Sequence, residues 1–392
     1  MEEVEGRRSR LRTGLEVTAL ILFVVIGVVI IFPEIFSAIL KPSTEGLREA
    51  MYYTKIEGNA VQCQLCFRRC VIGEGQRGFC TNRRNVGGRL YTVIYGKPCA
   101  LQIDPVEKEP LFHVYPRSSI FCIGTAGCNF RCSFCQNWHM AHKSLEEVEY
   151  AQYSPEELVD LAFEYNCTGF HFTYNEPTVF YEYMYDIAEI AKKKGLVVAF
   201  HSNGAINEEP LRELLRFMDA VTIDLKSFKP EYYEYVTEQS TSGPFQPSSP
   251  PLDTVLSTMK TIKEVGVWLE IVNLMIPTLN DDMEDVKEMC TWIRENLGDD
   301  VPLHFLRFMP ACKLTKLPYT PVQTLEAARR TAMAAGMKYV YIGNVPGHEG
   351  NSMFCPSCGE CLIARYHFLV LSYNLDGDKC KFCGYEIPGL WR

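Results

Sequence analysis

The sequence predicts an α/β protein built on a partial (β/α) barrel of the TIM type. A cysteine-rich module precedes the barrel, a zinc-ribbon-like module follows it, and one transmembrane helix leads the chain. Three observations predict this. From Ser119 onward, short apolar runs alternate with amphipathic runs of helical length, the pattern of parallel strands joined by right-handed crossovers. Twelve of the 17 cysteines fall into three tight groups. A single uncharged, strongly apolar run occupies residues 17–33. The expected division is 1–45 for the tail and anchor, 46–112 for the cysteine-rich module, 113–345 for the core and 346–392 for the ribbon.

Composition bounds the function. Hydrophobic residues make up 47% and charged residues 22%, which excludes global disorder. The net charge is −9, so the chain is a poor partner for a phosphate backbone, and no nucleic acid is expected. Close Cys-x2-Cys pairs in a long chain read as metal sites, not as a disulfide scaffold, and metal thiolates need reduced cysteines.

The run at 17–33 lies between Glu16 and Glu34. As a helix it covers about 25 Å, slightly less than a hydrocarbon core. It reads as one membrane pass. A cleaved signal peptide is the alternative, because Arg7, Arg8, Arg10 and Arg12 precede it. Those arginines favour an exported body, whereas the chemistry below needs cytosolic reagents. The chemistry decides: a single-pass membrane protein with its catalytic body in the cytoplasm is expected.

In the core, strands are predicted at 120–124, 169–173, 196–201, 220–225, 267–272, 302–308 and 338–342. Helices are predicted at 154–165, 179–194, 208–217, 252–265, 281–297 and 322–335. The first opens with Ser154 as cap and Pro155 at the first helical position. Residues 237–251, rich in Ser, Thr and Pro, are expected as an exposed loop. Barrels of this kind place their chemistry in loops at the carboxyl ends of the strands.

The first core strand runs into GTAGCNFRCSFCQNW. Cys128, Cys132 and Cys135 have the spacing Cys-x3-Cys-x2-Cys. Three thiolates can hold three irons of a [4Fe–4S] cube and leave the fourth iron open. A zinc site completed by His139 or His142 is the alternative. The loop, with Phe134 before its last cysteine, resembles the radical S-adenosylmethionine (SAM) superfamily. With TYNEPT, SNG, DLK and YIGNVPG downstream, it resembles more narrowly the AmmeMemoRadiSam system enzymes, relatives of the pyruvate formate-lyase activating enzymes. The resemblance covers about residues 60–392. It implies that SAM binds the open iron and that one electron cleaves SAM to methionine and a 5′-deoxyadenosyl radical, which takes hydrogen from a substrate. It also implies a one-electron donor of the ferredoxin or flavodoxin type and admits a protein substrate.

Other strand ends supply candidate SAM contacts. Glu176 suits the SAM ammonium. Ser202 and Asn203 can bond its ribose or methionyl group, beside His201 where activating enzymes carry Asp. Asp224 and Lys226 share a direction on their strand, and Lys226 can meet the SAM carboxylate. Arg307 ends the sixth strand and is expected to face the pocket. Cys63, Cys66, Cys70 and Cys80 form a second metal site for zinc or another iron–sulfur cluster. Cys355, Cys358, Cys380 and Cys383 form two Cys-x2-Cys-Gly knuckles for zinc or iron, with Cys361 to spare. A radical SAM enzyme with an unidentified substrate is the expectation. A glycyl-radical-enzyme activase and a zinc-stabilised binding or assembly protein are the alternatives.

Overall fold

A central sheet of eight strands carries the molecule. The computed structural model describes residues 44, 46–236 and 250–391, and Leu47–Arg392 form one compact unit. Strand β1 (Ala100–Pro105) lies at one edge. It is followed in spatial and chain order by β2 (Ser119–Gly124), β3 (Gly169–Phe172), β4 (Val197–Ser202), β5 (Ala220–Asp224), β6 (Trp268–Met275), β7 (Leu303–Arg307) and β8 (Val340–Ile342). The β1–β2 pair is antiparallel and the rest are parallel. The sequence anticipated every parallel strand to within a few residues. It missed β1, which is half exposed and ends in proline.

Helices α1 (Pro155–Glu164), α2 (Tyr181–Lys193), α3 (Glu208–Leu215), α4 (Pro251–Val265), α5 (Met283–Asn296) and α6 (Val322–Ala334) form the crossovers. Ser154 caps α1 through a reciprocal bond with Glu157. Helix α2 buries Tyr181, Met184, Ile187, Ala188 and Ala191, a stripe of helical period. Helix α4 ends at Gly266, whose φ of 85° is left-handed.

Residues 106–118 return beneath the sheet. Glu270 on β6 is fully buried and accepts the backbone N–H groups of Phe112 (3.0 Å) and His113 (2.9 Å), with His304 Nε2 at 2.7 Å. A charge is tolerated there because these partners replace its water. Glu109, on the same returning segment, meets Cys122 and His171, with His171 Nδ1 at 3.0 Å from Glu109. The carboxyl ends of the strands lie above them.

The membrane reading is corrected. Among the described residues no helix is long and apolar enough to cross a membrane. The longest helix among them, α4, has 15 residues and carries Asp253, Lys260 and Lys263, whereas a span needs about 20 predominantly apolar residues. The run at 17–33 lies outside the described residues. The placement as a single-pass membrane protein with a cytoplasmic body, and the membrane partner, find no support among the described residues. The loop expected at 237–251 also lies outside them, except at Pro250 and at Pro251, which opens α4.

Candidate active site

A cavity of about 250 Å³ opens at the carboxyl ends of β2 to β8. Its wall includes Cys128, Cys132 and Cys135 together with Glu176, His201, Ser202, Asn203, Asp224 and Lys226. Residues scattered over a hundred positions therefore share one pocket, because each stands just past or at the end of a parallel strand.

The cysteine loop, which follows β2, is held from two sides. Asn175 donates to Thr125 Oγ1 (3.1 Å), Ala126 O (3.3 Å) and Gly127 O (2.8 Å) and accepts from the Thr125 backbone N–H (3.0 Å). Arg131 donates to Cys128 O (2.7 Å) and to Phe79 O (2.9 Å) of the N-terminal module. Gly127 has φ of 83°, and a Cβ there would meet Cys80 O at 2.4 Å. The position requires glycine for its conformation and for the close approach.

Burial pushes the thiols of Cys128, Cys132 and Cys135 each up to about 12. They become ligands only by releasing protons to an incoming metal. Their three sulfur atoms are not all within 4.8 Å of one another, and neither His139 nor His142 joins any of them in such a group. Ligands of one zinc at about 2.3 Å stand at most about 4.6 Å apart. The geometry therefore disfavours the single-ion alternative. It fits a cube whose thiolates each take a different iron.

Across the pocket, Asp224 joins two predicted residues. Its Oδ1 lies 2.8 Å from His201 Nε2 and its Oδ2 accepts from Lys226 Nζ at 2.7 Å. Burial alone would raise the Asp224 carboxyl, but Lys226 and then His201 outweigh it and hold the group well below the carboxylate range. Burial would lower His201; Asp224 overrides it and raises the imidazole above its ordinary value. The pocket thus holds a fixed carboxylate between the Lys226 ammonium and the His201 imidazole.

Glu176 is 2% exposed. Its Oε1 accepts from Thr178 N (3.0 Å), Thr178 Oγ1 (2.7 Å) and Ser202 Oγ (2.7 Å), and its Oε2 accepts from Asn203 N (2.8 Å). Asn203 Nδ2 donates onward to Asn129 Oδ1 at 2.7 Å. The carboxylate fastens the turn after β3 to the turn after β4. Glu176→Ala should lower unfolding free energy by about 3 kcal/mol, since bonds to a buried charge contribute about 1.5–3 kcal/mol each and part is recovered by water. Urea denaturation checks this; an unchanged midpoint would show that these bonds carry no net stability.

Arg307 stands apart. Leu306 faces the cavity, and alternation along β7 turns Arg307 away. Its Nε donates to Thr320 O at 2.8 Å and its guanidinium lies over Tyr319. Sequence reasoning passed over Asn129 and Asn137. Asn137 donates to Tyr174 O at 2.7 Å. Both lie within the quoted cysteine string, but asparagine in a loop has no distinguishing spacing.

The flanking groups behave differently from one another. Cys355, Cys358, Cys380 and Cys383 bring all four sulfurs within 4.8 Å, with Cys355–Cys383 at 3.6 Å and Cys358–Cys380 at 3.8 Å. That arrangement suits one metal ion. Cys63, Cys66, Cys70 and Cys80 line a separate small cavity beside the cysteine loop.

Comparison with known proteins agrees with this geometry. The model of the Radical SAM superfamily matches residues 122–293. The chain is 46% identical over 343 residues to the uncharacterized protein MJ0808 of Methanocaldococcus jannaschii, covering 87% of this chain and 99% of that one. It is 26% identical over 176 residues to the pyruvate formate-lyase-activating enzyme of Clostridium pasteurianum, covering 43% of this chain and 66% of that enzyme. A radical SAM methyltransferase structure from Sphaerobacter thermophilus aligns with a TM-score of 0.45 at 15% identity, over 63% of this chain and 71% of that one, a likeness too low to bear on function. A three-cysteine loop opening into a strand-end pocket, a matching domain model and a relative shared over nearly its whole length together place the chain in the radical SAM superfamily, with pyruvate formate-lyase-activating enzymes among its distant relatives.

Proposed function

We propose that the pocket binds SAM against a [4Fe–4S] cluster held by Cys128, Cys132 and Cys135, and that the protein is an enzyme abstracting hydrogen from a substrate bound beside them. One observation carries the reading: the three cysteines and the His201–Asp224–Lys226 group line the same cavity. When bound, the cluster and SAM supply methionine and a 5′-deoxyadenosyl radical. The chain's own residues bind and orient. Lys226, kept cationic by Asp224, sets a positive charge in the wall for the SAM carboxylate. Ser202 and Asn203, fixed through Glu176, shape the side that faces the methionyl and ribose groups. Asp224 Oδ1 and His201 Nε2 hold a proton between them. Val272, Leu274 and Leu306, with Phe130 and Phe134, make much of the wall apolar, which limits water around a reactive species.

The narrower AmmeMemoRadiSam reading rests on the TYNEPT, SNG, DLK and YIGNVPG strings. The activase alternative is supported by relatives matched over less than half of the chain. The reading is tested with anaerobically reconstituted, dithionite-reduced protein and SAM, followed by mass spectrometry. Equimolar 5′-deoxyadenosine and methionine are expected. Failure to bind SAM at all would overturn the proposal. Radical transfer to a supplied glycyl-radical enzyme would favour the activase alternative.

A further inference from the structure

The N-terminal cysteines play no part in the pocket, yet they are as deliberately placed. Cys63 donates its N–H to Cys70 O at 2.9 Å, and Cys66 occupies the turn between them, where its carbonyl accepts from Arg69 N–H at 3.1 Å. Cys80 comes from the following loop, and all four line one cavity with Asn129 and Thr178 of the core. The module is fastened to the core at this point. Cys66 pairs with Ile206 in a backbone bridge, and Asn207 Nδ2 donates to Cys66 O at 3.1 Å.

Two four-cysteine sets in one molecule allow an internal comparison. The C-terminal sulfurs all lie within 4.8 Å of one another; the N-terminal sulfurs do not, although they share a cavity. Four thiolates on one zinc at about 2.3 Å cannot stand farther apart than about 4.6 Å. Four thiolates on a cube bind four separate irons and stand wider. The three cysteines of the SAM pocket likewise do not bring all their sulfurs within 4.8 Å of one another. A cube with four thiolates is also dianionic in its oxidised form, and two buried guanidinium groups line this cavity, Arg68 and Arg83, of which Arg83 is also paired with the buried Glu182 at 2.6 Å. Buried charge requires such partners.

We propose that Cys63, Cys66, Cys70 and Cys80 hold a second [4Fe–4S] cluster, fully ligated by protein, adjacent to the SAM pocket. Asn129 joins the two sites. Its carbonyl accepts from Arg68 Nε at 2.5 Å on one side, and its Oδ1 accepts from Asn203 Nδ2 at 2.7 Å on the other. It directly follows Cys128 in the chain.

The test is acid-labile sulfide on the full chain, reconstituted anaerobically with iron and sulfide. Wild type should hold about eight sulfides, two cubes' worth. The Cys128→Ala, Cys132→Ala, Cys135→Ala variant should keep about four, with the electron paramagnetic resonance of a reduced cube. The Cys63→Ser, Cys70→Ser variant should also keep about four. Reduced wild type should show a signal broadened by the interaction of two nearby spins, and each variant a simple one. If the second variant does not fold, the first decides alone. Its sulfide content does not depend on SAM cleavage, so it separates this inference from the proposed reaction. No sulfide in the first variant, with zinc bound at the N-terminal group, would overturn the second cluster.

Discussion

Replacing Cys128, Cys132 and Cys135 together by alanine is expected to remove about four irons per chain and to reduce SAM cleavage to the level of a protein-free control. Among the described residues no other cysteine lines the pocket to hold a cluster against SAM, so partial activity is not expected. The loop itself should persist. Asn175 anchors its first residues through four hydrogen bonds and Arg131 ties it to Phe79, none of which uses a cysteine side chain. Iron analysis, circular dichroism and mass spectrometry for 5′-deoxyadenosine on one preparation separate loss of cluster from loss of fold. A pH dependence accompanies this. Burial holds the wild-type thiols up near 12, so cluster assembly must expel protons and should be more complete at pH 9 than at pH 7. A folded variant that still cleaves SAM would remove these cysteines from the mechanism.

Much of this site is legible in the sequence because its chemistry depends on spacing. Cysteines three and four apart after a strand bring their thiols to one loop whatever the rest of the chain does. The parallel core was legible for a related reason: each unit is local, an apolar run followed by an amphipathic helix with its own cap, as at Ser154. What was not legible depends on distant partners. Strand β1 pairs with β2 across the intervening segment 106–118, and its own residues are half exposed. Glu270 reads as an ordinary polar position in a strand, yet it is the buried acceptor that holds residues 112 and 113 beneath the sheet. Asp224, His201 and Lys226 were each visible, but only the fold shows one carboxylate shared by the ammonium and the imidazole. Arg307 shows the limit of a string match. One step of strand alternation separates it from the pocket that Leu306 enters.

A Cys380→Ser change is expected to release one metal ion from the C-terminal ribbon and to cause a large loss of stability, because structural four-thiolate sites contribute on the order of 10 kcal/mol of apparent binding free energy to the folded state. The ribbon is a three-stranded antiparallel unit of β9 (Met353–Phe354), β10 (Cys361–Tyr366) and β11 (Leu369–Tyr373), with little core of its own. It buries Met353, Leu362, Ile363 and Leu375 beside Tyr339 and Tyr341 at the end of the central sheet. The damage should spread to the sheet, because the ribbon and the tail beyond it grip the segment beneath it. Arg365 donates to Phe112 O at 2.7 Å, and Leu390 N–H donates to His113 O at 2.7 Å. The backbone N–H of Tyr385 draws the Cys383 thiol down to about 7. That ligand gives up its proton to an incoming ion more readily than an ordinary thiol. SAM cleavage per folded molecule should be unchanged, since all four sulfurs are spent on one closed site at the opposite end of the strands from the pocket. Metal content, a thermal melt and SAM cleavage of the same variant decide the point. A variant that keeps its ion and its melting temperature but loses SAM cleavage would assign the ribbon to the reaction.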